Sequence, residues 1–193
     1  MDRGWDLAKS GSLYVILPVL ALVYGLALYL DRSERKNGRK TPETRIFLAA
    51  MLVVYLLVYI WLTFIHRLSL TERSSMLGLF WSYREAFSFE GGLHVVRLGL
   101  ARQILLNILV YIPAGLLLPL AFRRTGHPWL WTAAACAALS ALTEGLQYLT
   151  LRGLCELDDL FNNMLGCAIG IGLLAGGRAI LHRLERRRPR TAE

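Results

Sequence analysis

Five long blocks of apolar residues alternate with polar connections along the chain. The blocks cover residues 13–30, 46–65, 104–122, 129–149 and 160–181. Each is about 20 residues long, which matches a hydrocarbon layer about 30 Å thick at about 1.5 Å of helix rise per residue. The pattern predicts an all-α fold: a polytopic membrane helical bundle of about five transmembrane helices. We expect a single integral membrane domain over residues 1–193, ending in a basic tail at 183–193.

The connection between the second and third blocks, residues 66–103, is unusually long and aromatic. Its stretch 76–89 mixes leucine, phenylalanine, tryptophan and tyrosine with one arginine and one glutamate. That mixture is typical of a segment that lies in the membrane interface or re-enters the bilayer partway. We expect Gly91 and Gly92 to end the segment, and a helix starting near Leu93 to run directly into the third span.

The composition agrees with a membrane protein and changes the meaning of the charge. Hydrophobic residues make up 55% of the chain, charged residues 19%, and the mean hydropathy is +0.43, whereas average soluble domains are about 25% charged. The net charge of +8 would indicate nucleic acid if the basic residues formed a stripe on a soluble face. They lie between the apolar blocks instead, so we expect membrane lipids as partners and no nucleic acid.

The distribution of lysine and arginine predicts the orientation in the cell membrane. Eight lie in the N-terminal segment, in the 66–103 connection and at Arg152, while the other 14 lie in the remaining connections and the C-terminal tail. Excess positive charge stays on the cytoplasmic side. We therefore predict a multi-pass protein with its N-terminus outside and its C-terminus in the cytoplasm.

Glu144 is the main ionisable residue within a predicted span. Such a side chain costs roughly 2.5–3.5 kcal/mol at bilayer depth, so it indicates a functional site by default. Spacings of three and four residues place Ser140, Gln147 and Tyr148 on the same helical face. Two interpretations stay open: a functional acid, or a partly hydrated group near the outer end of the helix that only stabilises a bundle contact.

The run LDDLFNNMLG at residues 157–166 forms a second polar cluster. One of Asp158 and Asp159 could cap the N-terminus of the fifth span, where free N–H groups and the helix dipole favour negative charge. Capping does not explain two acids together with Asn162 and Asn163, which extend an acid–amide face into the span. The glycines that follow have the small-xxx-small spacing that lets another helix approach closely: Gly166, Gly170, Gly172 and Gly176.

The predicted topology gathers the polar residues at the outer leaflet. Asn107 in the third span could bond a neighbouring helix or orient a functional acid. The candidate binding residues are Ser82, Tyr83, Arg84, Glu85, Asn107, Glu144, Gln147, Arg152, Asp158, Asp159, Asn162 and Asn163. Glu144, Asp158 and Asp159 are also the candidates for a catalytic role.

Metal and cofactor chemistry has little support in the sequence. The four histidines are scattered and the three cysteines show no zinc or disulfide spacing. Carboxylates and amides could still hold a hard divalent cation such as Ca²⁺ or Mg²⁺. No phosphate loop or nucleophile elbow is present. We expect no metal centre and no cofactor, with a divalent cation left open.

Four pieces of sequence, in this order and spacing, resemble the VanZ-like membrane proteins. They are WSYREAF at 81–87, LLNILVYIPAGLLLPL at 105–120, SALTEGLQ at 140–147 and LRGLCELDDLFNNMLGCAIG at 151–170. The family is named for an accessory protein of glycopeptide (teicoplanin) resistance in Gram-positive bacteria. The resemblance covers residues 75–175, while residues 1–70 match only as two additional apolar helices.

The resemblance implies which positions matter but supplies no mechanism. It points to Asn107, Pro113, Gly115, Glu144, Gln147, Arg152, Gly153, Asp158, Asp159, Asn163 and Gly166. The chain departs from the family at Cys155 and Glu156, where hydrophobic residues are frequent. The family implies a membrane protein of the cell envelope, with one member linked to lowered susceptibility to teicoplanin.

Several functions remain as hypotheses. The leading one is a non-catalytic protein that binds an envelope lipid, a lipid-linked cell-wall precursor or a lipoglycopeptide in an acidic and amide-rich outer pocket. The alternative is a membrane-embedded enzyme that uses Glu144 with Asp158 or Asp159 as acid and base on a lipid-anchored substrate. A small transporter and a purely structural scaffold are further possibilities, and the sequence predicts no oligomeric state.

Overall fold

The computed structural model describes residues 4–37, 41–65, 71–72, 75–88, 94–123 and 125–187, with the side chains of the first helix described over 16–35. The expected end at Gly91 and Gly92, several basic residues counted for topology and residues 188–193 of the tail lie outside the described residues. The elements are α1 (Gly4–Asn37), α2 (Pro42–Ile60), a π-helical turn (Trp61–Ile65), β1 (Ser75–Met76), α3 (Trp81–Ala86), α4 (His94–Ala121), α5 (Pro128–Thr150), β2 (Cys155–Glu156) and α6 (Leu157–Arg187).

Helix starts follow local sequence signals. The side chain of Thr41 accepts a hydrogen bond from the N–H of Thr44 at 3.3 Å, and Pro42 occupies the first turn of α2. Pro128 likewise occupies the first turn of α5. The helix expected from Leu93 onwards is α4, which continues without a break through the third predicted span. The prediction that the apolar blocks form helices is therefore correct, and the observed helices extend beyond the apolar blocks.

A close contact between α4 and α6 forms the centre of the bundle. A Cβ atom at Gly115, Gly166 or Gly170 would lie 2.2, 2.1 or 2.3 Å from a backbone carbonyl oxygen of the facing helix. Small residues allow this approach of two backbones inside a membrane. The expectation of helix packing is correct for Gly166 and Gly170. It is wrong for Gly172 and Gly176, whose added Cβ atoms would meet none of the described residues within 4 Å.

Four helices in the described part of the chain are long and apolar enough to cross a membrane. They are Ile16–Arg35, Pro42–Ile65, His94–Ala121 and Leu157–Arg187. Large apolar side chains on α2, such as Val54 and Leu57, are 60% and 63% exposed, as expected for lipid-facing positions. The all-α membrane bundle is confirmed. Helix α5 has 23 residues, which is about 35 Å of helix. It is less apolar than these four helices and is not among the candidate spans, so the fifth span stays a prediction.

The bundle has two polar ends. The first, called the acid end, is formed by α3, the C-terminal ends of α2 and α5 and the N-terminal ends of α4 and α6. The opposite end is called the arginine end. At the acid end β1 pairs with β2 in parallel, Ser75 with Cys155 and Met76 with Glu156. This short pair was not predicted, and it joins the segment before α3 to the start of α6. Which end faces the cytoplasm stays a prediction.

Candidate functional site

Asp158 holds the short helix α3 against the bundle. Its carboxylate accepts hydrogen bonds from the N–H of Phe80 at 2.5 Å, the N–H of Ser82 at 2.9 Å and the Oγ of Ser82 at 2.6 Å. Phe80 has a φ of 61°, which turns the chain so that both N–H groups reach one carboxylate. Capping had been expected within α6 itself. Asp158 instead caps α3, a helix far away in the sequence.

Aromatic contacts and one further hydrogen bond complete this docking. The hydroxyl of Tyr83 donates to Oδ1 of Asn162. The rings of Phe80, Tyr83 and Phe161 meet edge to face, with centroids 5.1 to 6.4 Å apart. Burial, and then the charge of Asp158, raise the pKa of Tyr83, so the phenol stays a proton donor to the amide. Residues 80–83, in the connection between the second and third spans, are therefore docked against α6.

Three buried carboxylates meet beneath α3. Glu144, Glu156 and Asp159 are 7%, 3% and 2% exposed. Oε2 of Glu144 accepts the backbone N–H of Glu156 at 3.0 Å. The side-chain nitrogen of Gln103 lies 3.3 Å from Oε1 of Glu156 and 3.2 Å from Oδ1 of Asp159, so one amide contacts two carboxylates. These three acids and Gln103 are called the acid cluster below.

The thiol of Cys155 lies within the electric field of the acid cluster. Its pKa is raised by burial first, and then by the charges of Glu144, Glu156 and Asp159. A negative charge nearby disfavours the thiolate. The thiol therefore provides a chemical probe of the charge in the cluster.

We predict that Glu144→Gln speeds alkylation of Cys155 by iodoacetamide at pH 8 by about three- to tenfold, because a lower pKa gives more of the reactive thiolate. The sign follows from the raised pKa: wild-type Cys155 should need a higher pH than an ordinary cysteine to react. Mass spectrometry of the peptide that contains Cys155 measures the rate. Glu85→Gln, on the exposed face of α3, is the control, and equal rates in the two variants would contradict the proximity.

Gln147 and Arg152 tie the end of α2 to the end of α5. Gln147 donates to the carbonyl of Thr63 at 3.0 Å, and Arg152 donates to the carbonyl of Phe64 at 2.7 Å. The last carbonyls of a helix have no partner within it and favour a cation. The two side chains therefore have a clear structural task, and they fix α5 beside the π-helical turn.

Deeper in the bundle the polar face of α5 meets other helices. Asn163 donates to Oγ of Ser140 at 2.8 Å. The hydroxyl of Tyr59 lies 2.7 Å from Oγ1 of Thr143 and 2.9 Å from the hydroxyl of Tyr111. These bonds join α2, α4, α5 and α6. Of the four residues predicted to share one face of this helix, Ser140, Glu144 and Gln147 are buried, whereas Tyr148 is 36% exposed.

The remaining candidates divide between the interior and the surface. Arg84 and Glu85 are exposed, so the structure does not bring them to the acid cluster. Asn107 lies one turn after Gln103 on α4 and is half-buried, and its Nδ2 has no hydrogen-bond partner among the described residues. The buried candidates lie toward the acid end of the bundle, and their predicted position at the outer leaflet stays a prediction.

Sequence reasoning missed Gln103 and Glu156. Gln103 immediately precedes the third apolar block, where a polar residue is ordinary. Glu156 stands where the resembled family frequently has a hydrophobic residue, and that departure was the available signal. Among the described residues no group of three or more His, Cys, Asp or Glu side chains has a metal-binding arrangement.

The fold and the site define a class: an α-helical integral membrane protein with a buried cluster of acids and amides at one end. The family model of VanZ/LLP1 matches residues 47–181, more than two thirds of the chain. The chain belongs to this family, as its resemblance to the VanZ-like proteins implied. Searches of curated proteins and of solved structures gave no significant match.

Proposed function

We propose that this protein binds an envelope lipid, a lipid-linked cell-wall precursor or a lipoglycopeptide at the acid cluster without transforming it. The observation that carries the proposal is the burial of Glu144, Glu156 and Asp159 at one end of an apolar bundle. Burying an ionised carboxylate costs several kcal/mol before its hydrogen bonds are counted. Proteins keep such arrangements mainly where function requires them.

The chemistry of the acid end suits a ligand with both polar and apolar parts. Carboxylates and amides accept hydrogen bonds from hydroxyl or amine groups. Around them the 75–88 segment exposes Leu77, Leu79, Phe80 and Phe87, which are 40% to 65% exposed. Apolar side chains of this kind hold acyl chains or insert among them. The combination favours a molecule with a hydroxyl- or amine-bearing headgroup and a lipid tail.

The predicted orientation places the acid cluster at the outer leaflet, where envelope precursors are exposed. A link to teicoplanin susceptibility is part of the proposal only because one member of the family has such a link. Such a link would follow if the protein sequestered either the antibiotic or its lipid-linked target. This chain's Glu156 would then contribute to the choice of ligand.

Binding by purified protein in lipid nanodiscs tests the proposal. The probes are teicoplanin, a lipid-linked peptidoglycan precursor and a neutral phospholipid as reference. We expect one of the first two to bind, and Glu144→Gln to weaken that binding about 5- to 10-fold through loss of one charged acceptor. Glu85→Gln should leave it unchanged. Absence of binding by both probes to the wild type would exclude the precursor and the lipoglycopeptide as ligands, and equal affinities of the two variants would overturn binding at the acid cluster.

A second candidate function is catalysis by Glu144 and Asp159. The side-chain amide of Gln103 contacts both Asp159 and Glu156, and Glu144 accepts a hydrogen bond from the backbone N–H of Glu156. Carboxylates grouped in this way can serve as the acid and the base of a reaction. Asp158 is occupied by the cap of α3. Here Glu144→Gln should abolish turnover completely while folding stays intact. Mass spectrometry of envelope lipids from strains that carry the two forms separates catalysis from binding.

A further inference from the structure

A groove at the arginine end lies between the C-terminal halves of α1 and α6. The two helices touch at Gly177, where an added Cβ would lie 2.6 Å from the side chains of Tyr24 and Leu28. Just beyond this contact they enclose a groove of about 250 Å³, lined by Asp31, Arg32, Arg35, Arg178, His182 and Glu185 together with one leucine. It is remote from the acid cluster and takes no part in the function proposed above.

Asp31 organises the basic groups of the groove. Its side chain is 3% exposed and lies 2.9 Å from Nε of Arg35, 2.8 Å from Arg178 and 3.5 Å from Arg123. Arg123 also lies 3.0 Å from Glu34. One buried carboxylate therefore positions three guanidinium groups. Together with Arg32 these make four arginines against three carboxylates, Asp31, Glu34 and Glu185, which leaves one positive charge in excess. The groove contains a surplus of arginine held in fixed places.

These arginines have N–H donors that their ion pairs do not use. A guanidinium group carries five N–H donors, and Arg32 contacts Glu185 through Nε at 2.8 Å. The side chains of Arg32, Arg35 and Arg178 are 39%, 46% and 26% exposed, so their remaining N–H groups face the groove or solvent. Nε of Arg178 is buried without a hydrogen-bond partner in the described part of the chain. The site offers several donors to an anion with oxygen acceptors.

The position of the groove identifies the source of that anion. The apolar block of α1 ends at Leu30, immediately before Asp31 and Arg32, so the arginines lie at the level of lipid headgroups. Leu22 and Tyr29, which precede Arg32 on α1, are 62% and 67% exposed, so apolar surface borders the groove on its membrane side. Arginine binds phosphate through paired hydrogen bonds, and basic pockets between transmembrane helices hold anionic headgroups.

We propose that this groove binds the phosphate headgroup of an anionic phospholipid, whose acyl chains lie along the exposed apolar side chains of α1 on the membrane side of the groove. The lipid joins α1 to α6 beyond the Gly177 contact and stabilises the bundle. The proposal concerns the arginine end alone and stands or falls independently of ligand binding at the acid cluster.

The test is thermal unfolding of the full chain in a neutral detergent with added lipid. We expect phosphatidylglycerol to raise the unfolding temperature by several degrees, and phosphatidylcholine or inorganic phosphate at the same concentration to have little effect. Arg32→Gln with Arg35→Gln should weaken the response to phosphatidylglycerol at least tenfold in lipid concentration. The matched control removes the same charge from the exposed face of α6, through Arg183→Gln with Arg186→Gln, and should keep the response.

Each other result counts against the proposal. Equal stabilisation by phosphatidylcholine would exclude an anionic site, and full stabilisation by inorganic phosphate would indicate a free-anion site. Equal loss in both double variants would indicate unspecific attraction of charge. If the groove variant cannot be purified folded, native mass spectrometry of the wild type decides, since retention of phosphatidylglycerol no greater than of phosphatidylcholine would overturn the assignment.

Discussion

Replacing Gly166 by alanine is expected to destabilise the protein by on the order of 2–3 kcal/mol, since overpacking usually costs 1–3 kcal/mol and the loss outweighs the better helix propensity of alanine. The new Cβ would lie 2.1 Å from the carbonyl oxygen of Ile108. That oxygen belongs to the backbone of α4, so relief requires the two helices to separate. Thermal unfolding in detergent measures the effect.

The same helix offers matched controls for this prediction. Gly172→Ala and Gly176→Ala add a methyl group where no atom of the described part of the chain lies within 4 Å. They should leave the unfolding temperature unchanged or raise it, because alanine favours the helix by about 1 kcal/mol. A loss of stability in these controls as large as that of Gly166→Ala would show that the α4–α6 contact is not the cause.

Replacing Asp158 by alanine is the second change with a large expected effect. The variant removes the acceptor of three hydrogen bonds from Phe80 and Ser82. Hydrogen bonds to a charged group contribute about 1.5–3 kcal/mol each, so the loss should exceed about 3 kcal/mol and undock α3. Arg84 is exposed on α3. We therefore expect trypsin to cleave after Arg84 much faster and amide exchange over residues 75–88 to accelerate.

Two variants sharpen this experiment. Asp158→Asn keeps one carbonyl acceptor and should give an intermediate rate of cleavage, which separates the charge from the hydrogen bonds. Glu85→Ala changes an exposed acid on the same short helix and should leave the cleavage rate at the wild-type value. Unchanged protection of residues 75–88 in Asp158→Ala would show that other contacts hold α3.

The helices were predictable because the information for them is local. A block of about 20 apolar residues identifies a span wherever it packs, and a period of about 3.6 residues placed Ser140, Glu144 and Gln147 on one inward face. The period also explains the error in the glycines. Gly166 and Gly170 differ by about 40° around the helix axis, whereas Gly172 and Gly176 lie on another side. The spacing alone shows that two glycines four residues apart lie on the same side of the helix. It does not show which of the two pairs faces α4.

The contacts between distant segments could not be predicted in this way. One of Asp158 and Asp159 was expected to cap its own helix because capping groups are usually local. Both lie in the first turn of α6, yet the hydrogen-bond partners of Asp158 lie at the start of α3. Gln103 and Glu156 stand at the ends of elements, where polar residues are unremarkable. The arginines around Asp31 were interpreted as signals of orientation and as contacts to lipid headgroups, but not as one groove, because no pattern in the sequence brings α1 beside α6.

The cap of α3 also has a consequence for the order in which the protein is made. Phe80 leaves the ribosome 78 residues before Asp158. At roughly 5–20 residues per second the delay is about 4–16 seconds. Through that interval α3 and the strand before it wait at the membrane surface without their partner. The acid end is thus completed only when α6 has been synthesised, so a chain truncated before α6 would retain its earlier membrane spans and lack Asp158 and Asp159.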